Sequence, residues 1–275
     1  AYWTFLVHTG SRTFIGASPE RHISLTDGVA VMNPISGTYR YPRSGPRLTD
    51  LMRFLADRKE TDELYMVVDE ELKMMARLCE GGGRIIGPAL KEMARLAHTE
   101  YFIQGRTSLD VRSILKETMF APTVTGSPLE NACRVIVRHE SGGRRFYSGI
   151  IARIGRDGLG RQELDSAILI RTADIDRTGE LEISVGATLV RHSDPDSEVA
   201  ETHAKAAGLL AALGVNSHPE TRFAPKPVPA GSTGTGLGDH PEVHSALRRR
   251  NDRLARFWLT DQSERRSPVP QLLGR

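Results

Sequence analysis

The sequence predicts an α+β fold: large antiparallel sheet with flanking helices. Three observations carry that expectation. Short β-like runs recur, several of them bounded by Gly-containing turns. Longer stretches keep a helical period, and the two kinds alternate irregularly with no internal repeat. Composition agrees: 39% hydrophobic and 26% charged is the balance of a globular chain, which sets aside disordered and collagen-like classes.

In chain order, 2–9 (YWTFLVHT), 12–18 (RTFIGAS) and 21–27 (RHISLTD) read as strands. Residues 49–79 keep one sustained helical period, and a further helix is expected in KEMARLA, just before His98. Spacing predicts helices over 109–120 and 127–140 and strands within 144–155, 166–176 and 181–193. The last helix of the body is PDSEVAETHAKAAGLLAAL, opened by Asp194 or Pro195 and closed by Gly214.

Beyond Gly214 the composition changes. Seven of the fifteen prolines fall there, with the stretch APKPVPAGSTGTGLGDHP, so 215–275 reads as a linker and 1–214 as the folded body. The linker glycines do not make a phosphate loop, since no Lys-Ser/Thr follows and no strand precedes. One amphipathic helix follows, with Val243, Leu247, Leu254 and Trp258 on its apolar side. A chain that lacks an initiator Met and ends in a linker is expected to be a piece of a longer one. No run approaches the roughly 18–20 apolar residues of a membrane helix. The start has neither the basic residues nor the apolar stretch of a signal peptide. Cys79 and Cys133 lack metal-like spacing, so a reducing, cytoplasmic setting is expected. The formal charge of +3 suggests nucleic acid at first sight. However, 215–275 carries ten Lys/Arg against six Asp/Glu, or +4, which leaves the body near −1 and argues against that partner.

Two carboxylate pairs stand out. Glu60 and Glu63 lie three apart on the first long helix, and Glu198 and Glu201 repeat that spacing on the last, with Lys205 one turn further on. Each pair alone is compatible with a solvated helix face. Should the two helices face each other, carboxylates about 5 Å apart repel by roughly 3 kcal/mol per pair at an effective dielectric of 20. Four such groups call for a cation, and hard oxygen ligands suit Mg²⁺.

Ordered blocks along the chain carry a family likeness: FIGASPE (14–20), NPISGTYR (33–40), ETDELYMVVDEELKMMARLC (60–79), TVTGSPLENA (123–132), RRFYSGIIARIG (144–155), AILIRTADI (167–175) and VGATLVRHSDPDSEVAETHAKA (185–206). Through them, residues 1–214 resemble the C-terminal half or so of the chorismate-utilising enzymes. These include anthranilate synthase large subunits and the aminodeoxychorismate, isochorismate and salicylate synthases. The detail looks most like the 2-amino-2-deoxyisochorismate synthases of phenazine-type secondary metabolism and antibiotic biosynthesis. VVDEELKMMARLC and FAPTVTGSPLENACRVI depart from the anthranilate synthase pattern, which more often shows Asp-Leu-x-Arg-Asn-Asp and SGAPK there.

The resemblance implies Mg²⁺ between Glu60/Glu63 and Glu198/Glu201, bound to the ring carboxylate of chorismate, with Lys205 beside it. It implies that Arg171 and Tyr147 hold the enolpyruvyl carboxylate, for which a guanidinium fork is suited. Thr123 is expected near the ring substituents, and Gly186 to let the backbone approach the substrate. A second family glycine is replaced here by Thr188. His98 aligns with the family histidine associated with proton handling. Ser36 and Ser127 lie in motif loops, where capping accounts for them. Aminodeoxychorismate synthases carry a lysine nucleophile in Pro-Ile-Lys-Gly-Thr. This chain has Pro34-Ile35-Ser36-Gly37-Thr38, so covalent lysine catalysis is not expected.

The implied reaction is amination of chorismate at C2 with loss of the C4 hydroxyl. Ammonia would come from a glutamine amidotransferase fused downstream. The alternative within the family is anthranilate synthase, which adds pyruvate elimination. The alternative outside it is a basic helical interaction module at 241–275. The oligomeric state, a homodimer included, is open.

Overall fold

The computed structural model describes residues 1–42, 44–93, 96–214 and 236–259, with side chains to 254 in the last helix. The linker core (215–235), the Trp258 side chain and the tail beyond 259 lie outside the described residues. The fold is α+β, and every strand pairing is antiparallel.

Eleven described strands form two sheets. β1 (Trp3–His8), β2 (Arg12–Ser18), β10 (Thr172–Asp176) and β11 (Leu181–Ile183) make the smaller one, in the order β1-β2-β10-β11. The larger runs β5 (Ile35–Arg40), β7 (Leu96–Arg106), β4 (Val29–Met32), β3 (Arg21–Thr26), β9 (Gln162–Ile168), β8 (Ile150–Arg156), with β6 (Arg84–Glu92) also on β7. The sheets share a seam. The chain crosses from β2 to β3 at Pro19–Glu20 and from β9 to β10 at Leu169–Arg171, and β2 pairs β10 on one side while β3 pairs β9 on the other. At the second crossing Arg171 takes φ 53°, a left-handed conformation that an arginine holds only where its surroundings impose it. The sequence reads one strand over 166–176; the structure divides it here, and so turns Arg171 out of the ladder.

Helices cover the sheets. The predicted 49–79 helix is two: α1 (Leu48–Ala56) and α2 (Arg58–Leu78), broken at Asp57. Asp57 is extended, and its carboxylate accepts from the backbone N–H groups of Lys59 at 2.7 Å and Glu60 at 3.4 Å, capping α2. Leu64, Val68, Met74 and Met75 of α2 pack against Ile23, Met32, Tyr101 and Ile103 of the large sheet. α3 (Val111–Thr118), the short α4 (Pro122–Thr125) and α5 (Leu129–His139) follow. α6 (Pro195–Ala212) is capped by Asp194, whose side chain accepts from Ser197 N, and ends before Gly214 at φ 71°.

The helix expected before His98 is absent. Lys91 and Glu92 pair with His98 and Ala97 across β6 and β7, so ladder pairing prevails over a short helical pattern. Likewise 144–149 is a turn preceding β8, and beyond Ile183 residues 184–193 form no strand.

α7 (Pro241–Leu259) is the helix expected after the linker. Val243, Ala246 and Leu247 pack with Tyr39, Leu51, Phe54 and Leu55 in a second core, and Leu254 reaches the main one. Buried Arg250 donates from Nη2 to Leu55 O at 3.0 Å and Phe54 O at 3.3 Å, satisfying carbonyls at the end of α1. A 3₁₀ turn at Leu237–Asp239 leads into it, and Gly238 N–H donates to Glu92 at 2.9 Å. Residues 236–254, set with the linker on composition, thus pack on the body.

Candidate active site

A cavity of about 500 Å³ opens at the seam between the sheets. Of the ten residues singled out from the sequence, His98, Thr123, Tyr147, Arg171, Gly186 and Lys205 line it, as does Glu63. Glu60, Glu198 and Glu201 stand just behind that lining, tied to it by the contacts below.

The organising element is a bulge. β5 loses register with β7 between Ser36 and Tyr39, and Gly37 there takes φ 72°. Its displaced backbone serves both neighbours. Gly37 N–H donates to Glu63 Oε1 at 3.4 Å and Thr38 N–H to Glu60 Oε2 at 3.1 Å. On the other side, Gly37 O accepts from His98 Nδ1 at 2.6 Å. A Cβ at position 37 would lie 2.5 Å from Glu60 Oε2, so only glycine fits both the turn and the carboxylate. Sequence reasoning treated this motif as the place of a missing lysine and passed over Gly37 and Thr38. The signal that could have found them is a glycine followed by threonine inside a strand-like run.

The two carboxylate pairs converge. Thr38 Oγ1 donates to Glu201 Oε1 at 3.3 Å, joining α6 to the bulge that already holds Glu60 and Glu63. Lys59 Nζ bridges the helices, at 3.0 Å from Glu63, 3.2 Å from Glu198 and 3.3 Å from Glu60. Lys205 Nζ lies 2.6 Å from Glu201 and donates to Gly186 O at 3.0 Å. Burial pushes the Glu60 carboxyl up to about 7, with Lys59 opposing and Glu63 and Glu201 adding to the rise. Burial also acts to raise Glu201, but Lys205 beside it outweighs this and holds the group below its ordinary value.

These residues fit a divalent cation. Among the described residues no three acidic, His or Cys side chains stand ready around a common empty point; the Lys59 ammonium takes that place as a stand-in cation. Buried Glu198 Oε2 has no hydrogen-bond partner. The donor set is all carboxylate oxygen, the chemistry of Mg²⁺ or Ca²⁺.

Arg171 is buried enough for desolvation to lower its pKa, and it faces Tyr147, Glu20 and Glu201 electrostatically. A Cβ on Gly186 would lie 2.6 Å from the Tyr147 hydroxyl, so the glycine makes room for Tyr147, a more direct reason than the expected approach of backbone to substrate. Burial pushes His98 down to about 4. The imidazole is therefore neutral, with its proton on Nδ1 and Nε2 free to accept. The Thr123 side chain interacts with the Glu20 carboxyl, and Thr188 Oγ1 donates to Thr123 O at 3.3 Å.

One residue was missed altogether. Glu20, at the first crossing, lines the cavity and is 4% exposed. Burial pushes its carboxyl up to about 7, with hydrogen bonds from the Thr123 side chain and the Ile35 backbone, and then the charges of Lys91 and Arg171, opposing. A glutamate straight after a proline at a strand end was the available signal. Neither serine behaves as a cap. Ser36 sits within β5 with its Oγ buried and unpartnered, and Ser127 donates to Glu70 Oε2 at 2.5 Å, since the N-cap of α5 is Pro128.

The chain is similar to known proteins over most of its length. Residues 1–211 match the model of the chorismate binding enzyme family. The chain is 62% identical over all 275 residues to a phenazine-specific anthranilate synthase of Pseudomonas chlororaphis, covering 41% of that protein. It is 63% identical over 274 residues to its counterpart in Pseudomonas fluorescens, covering 40%. It thus spans about two-fifths of the length of these relatives. Among solved structures, anthranilate synthase component I from Streptococcus pneumoniae is similar with a TM-score of 0.64 at 28% identity. That match covers 75% of this chain and 46% of that one. With three-quarters of its length inside the family's pattern and its site built from the family's blocks, the chain belongs to the chorismate binding enzymes.

Proposed function

We propose that the protein to which this chain belongs aminates chorismate at C2 with loss of the C4 hydroxyl, giving 2-amino-2-deoxyisochorismate. The observation that carries this is one cavity lined both by the Arg171 guanidinium and by Glu63, a member of the buried carboxylate cluster. Such a cavity suits a substrate with two separated carboxylates. Arg171 and Tyr147 bind the enolpyruvyl carboxylate by charge-assisted hydrogen bonds. Glu60, Glu63, Glu198 and Glu201 would hold Mg²⁺, which when bound supplies charge neutralisation and Lewis acidity at the ring carboxylate.

The remaining steps fall to this chain's own residues. Glu20, protonated over much of the neutral range, gives its proton to the departing C4 hydroxyl, which leaves as water. His98 offers a neutral Nε2 to the proton that the incoming ammonia must lose. Thr123 orients the ring substituents, and Lys205 offsets charge beside Glu201. Ammonia is drawn from glutamine by an amidotransferase unit, the partner that synthases of this type use.

Incubation of the full-length protein with chorismate, Mg²⁺ and glutamine or an ammonium salt tests the reading. The expected product keeps its enolpyruvyl group, and no pyruvate appears by coupled assay. A second reading has a specific observation behind it: the relatives are named anthranilate synthases. Stoichiometric pyruvate with fluorescent anthranilate would decide for that reading.

A further inference from the structure

The position of Lys59 is unusual for a lysine. It lies in the first turn of α2, where the helix dipole disfavours a positive charge, and its side chain is only 13% exposed. A lysine there is free to extend into water. Instead its ammonium lies against carboxylates of two helices, Glu60 and Glu63 on α2 and Glu198 on α6. The other ammonium facing the cluster, Lys205, is engaged with Glu201 and Gly186 O.

On α6 only Glu198 and Glu201 are buried. Without a cation between the helices, this face of α6 would set two carboxylates against two more, which is repulsive. We infer that Lys59 is a built-in counter-cation: its ammonium holds α6 to α2 in the metal-free protein and competes with the divalent cation for the same carboxylate oxygens. The charges support this. With all four carboxylates ionised, Lys59 and Lys205 leave two negative charges, so a divalent ion is still attracted, but to oxygens already engaged. Lys59 therefore lowers the affinity of the site for metal and keeps it assembled when metal is scarce. The inference rests on the reading that this cluster is the metal site.

The test is calorimetric titration of Mg²⁺ into the full-length protein without substrate, for wild type, Lys59→Met and Lys59→Gln. Thermal unfolding is followed with and without Mg²⁺. Removing the competitor should tighten Mg²⁺ binding by about tenfold or more and lower the melting temperature of the metal-free protein. Saturating Mg²⁺ should then stabilise the variants more than wild type. Lys73→Met, on an exposed part of the same helix, should change none of these. Wild-type binding with no tightening in either Lys59 variant overturns the inference alone. Absence of Mg²⁺ binding in every protein overturns it together with the metal-site reading. If Lys59→Met folds only in the presence of Mg²⁺, the counter-cation role is supported, and Lys59→Gln supplies the affinity.

Discussion

The last two α-helices among the described residues are held to the same body by opposite means. α7 buries Val243, Ala246, Leu247 and Leu254, and the one buried charge among its described side chains, Arg250, caps the carbonyls ending α1. Burial of apolar side chains at roughly 25 cal/mol per Å² accounts for such docking. α6 buries only Glu198 and Glu201, leaving Val199 57% exposed. Apolar area cannot explain a helix that turns its carboxylates inward. α6 is docked for its charge, and α7, which lies past the family's matched stretch at 1–211, for its surface. On the proposed function, the difference separates a helix that serves the chemistry from one that serves the fold.

Removing a carboxylate from α6 gives the largest expected effect. Glu201→Gln keeps the side-chain volume while deleting a charge that faces Thr38 and Lys205. Mg²⁺-dependent turnover should fall by at least about a thousandfold, since Lewis-acid stabilisation is worth several kcal/mol. The melting temperature should fall modestly, because the lost pairing with Lys205 and Thr38 is only partly offset by relief among the three remaining carboxylates. A variant that unfolds while keeping its per-molecule activity would reverse the assignment of α6.

Arg171 is expected to answer through binding. Arg171→Lys keeps the charge but loses the fork, so KM for chorismate should rise by about a hundredfold with a smaller change in kcat. An effect confined to kcat would place Arg171 in the chemistry rather than in carboxylate binding. The acid assignment has its own signature in pH. Burial raises Glu20 to about 7, so its proton is present below that pH and lost above it. The rate should fall about tenfold per pH unit above 7 in wild type, and Glu20→Gln should be slow and flat over the same range. His98, pushed down to about 4, is neutral throughout and should add no limb near 6.5. A limb there that survives Glu20→Gln would break this division of roles.

The readability of the site follows from how its parts are built. Glu60/Glu63 and Glu198/Glu201 were legible because helical spacing puts i and i+3 on one face, whatever the rest of the chain does. Their convergence was not, since it depends on the bulge at Gly37, whose N–H groups and carbonyl reach partners 26 and 61 residues away. A bulge leaves no side-chain pattern. Glu20 and Arg171 show the same limit: Glu20 lies between two strand-like runs and Arg171 within one, and only the seam between sheets makes both positions crossings aimed at a cavity. His98 was misplaced behind a helix because KEMARLA has helix-forming residues, and β6 supplies a ladder that local propensity does not register. The core helices, with long sustained periods, came through except for the break at Asp57, where a single capping carboxylate decides the boundary.

The smallest expected effect on activity comes from α7, and it sharpens the comparison most. Leu247 is 5% exposed and packs with Tyr39, Leu51 and Phe54, so Leu247→Ala removes three carbons from a filled core. Truncations of this kind destabilise by about 2–5 kcal/mol through lost transfer energy and the cavity left behind. Denaturant unfolding of the full-length protein should show that loss. Well below the melting temperature, kcat/KM and Mg²⁺ affinity should stay within about twofold of wild type, as surface-docked packing acts on the folded population and not on the site. One route by which packing at Leu247 could reach the chemistry is Phe54, which touches α7 and stands about 3.1 Å from where a Cβ on Gly37 would be. If Leu247→Ala weakened Mg²⁺ binding tenfold in a protein still fully folded, packing would be passing from α7 through Phe54 to the Gly37 bulge. The two helices would then differ in what holds them and not in what they do.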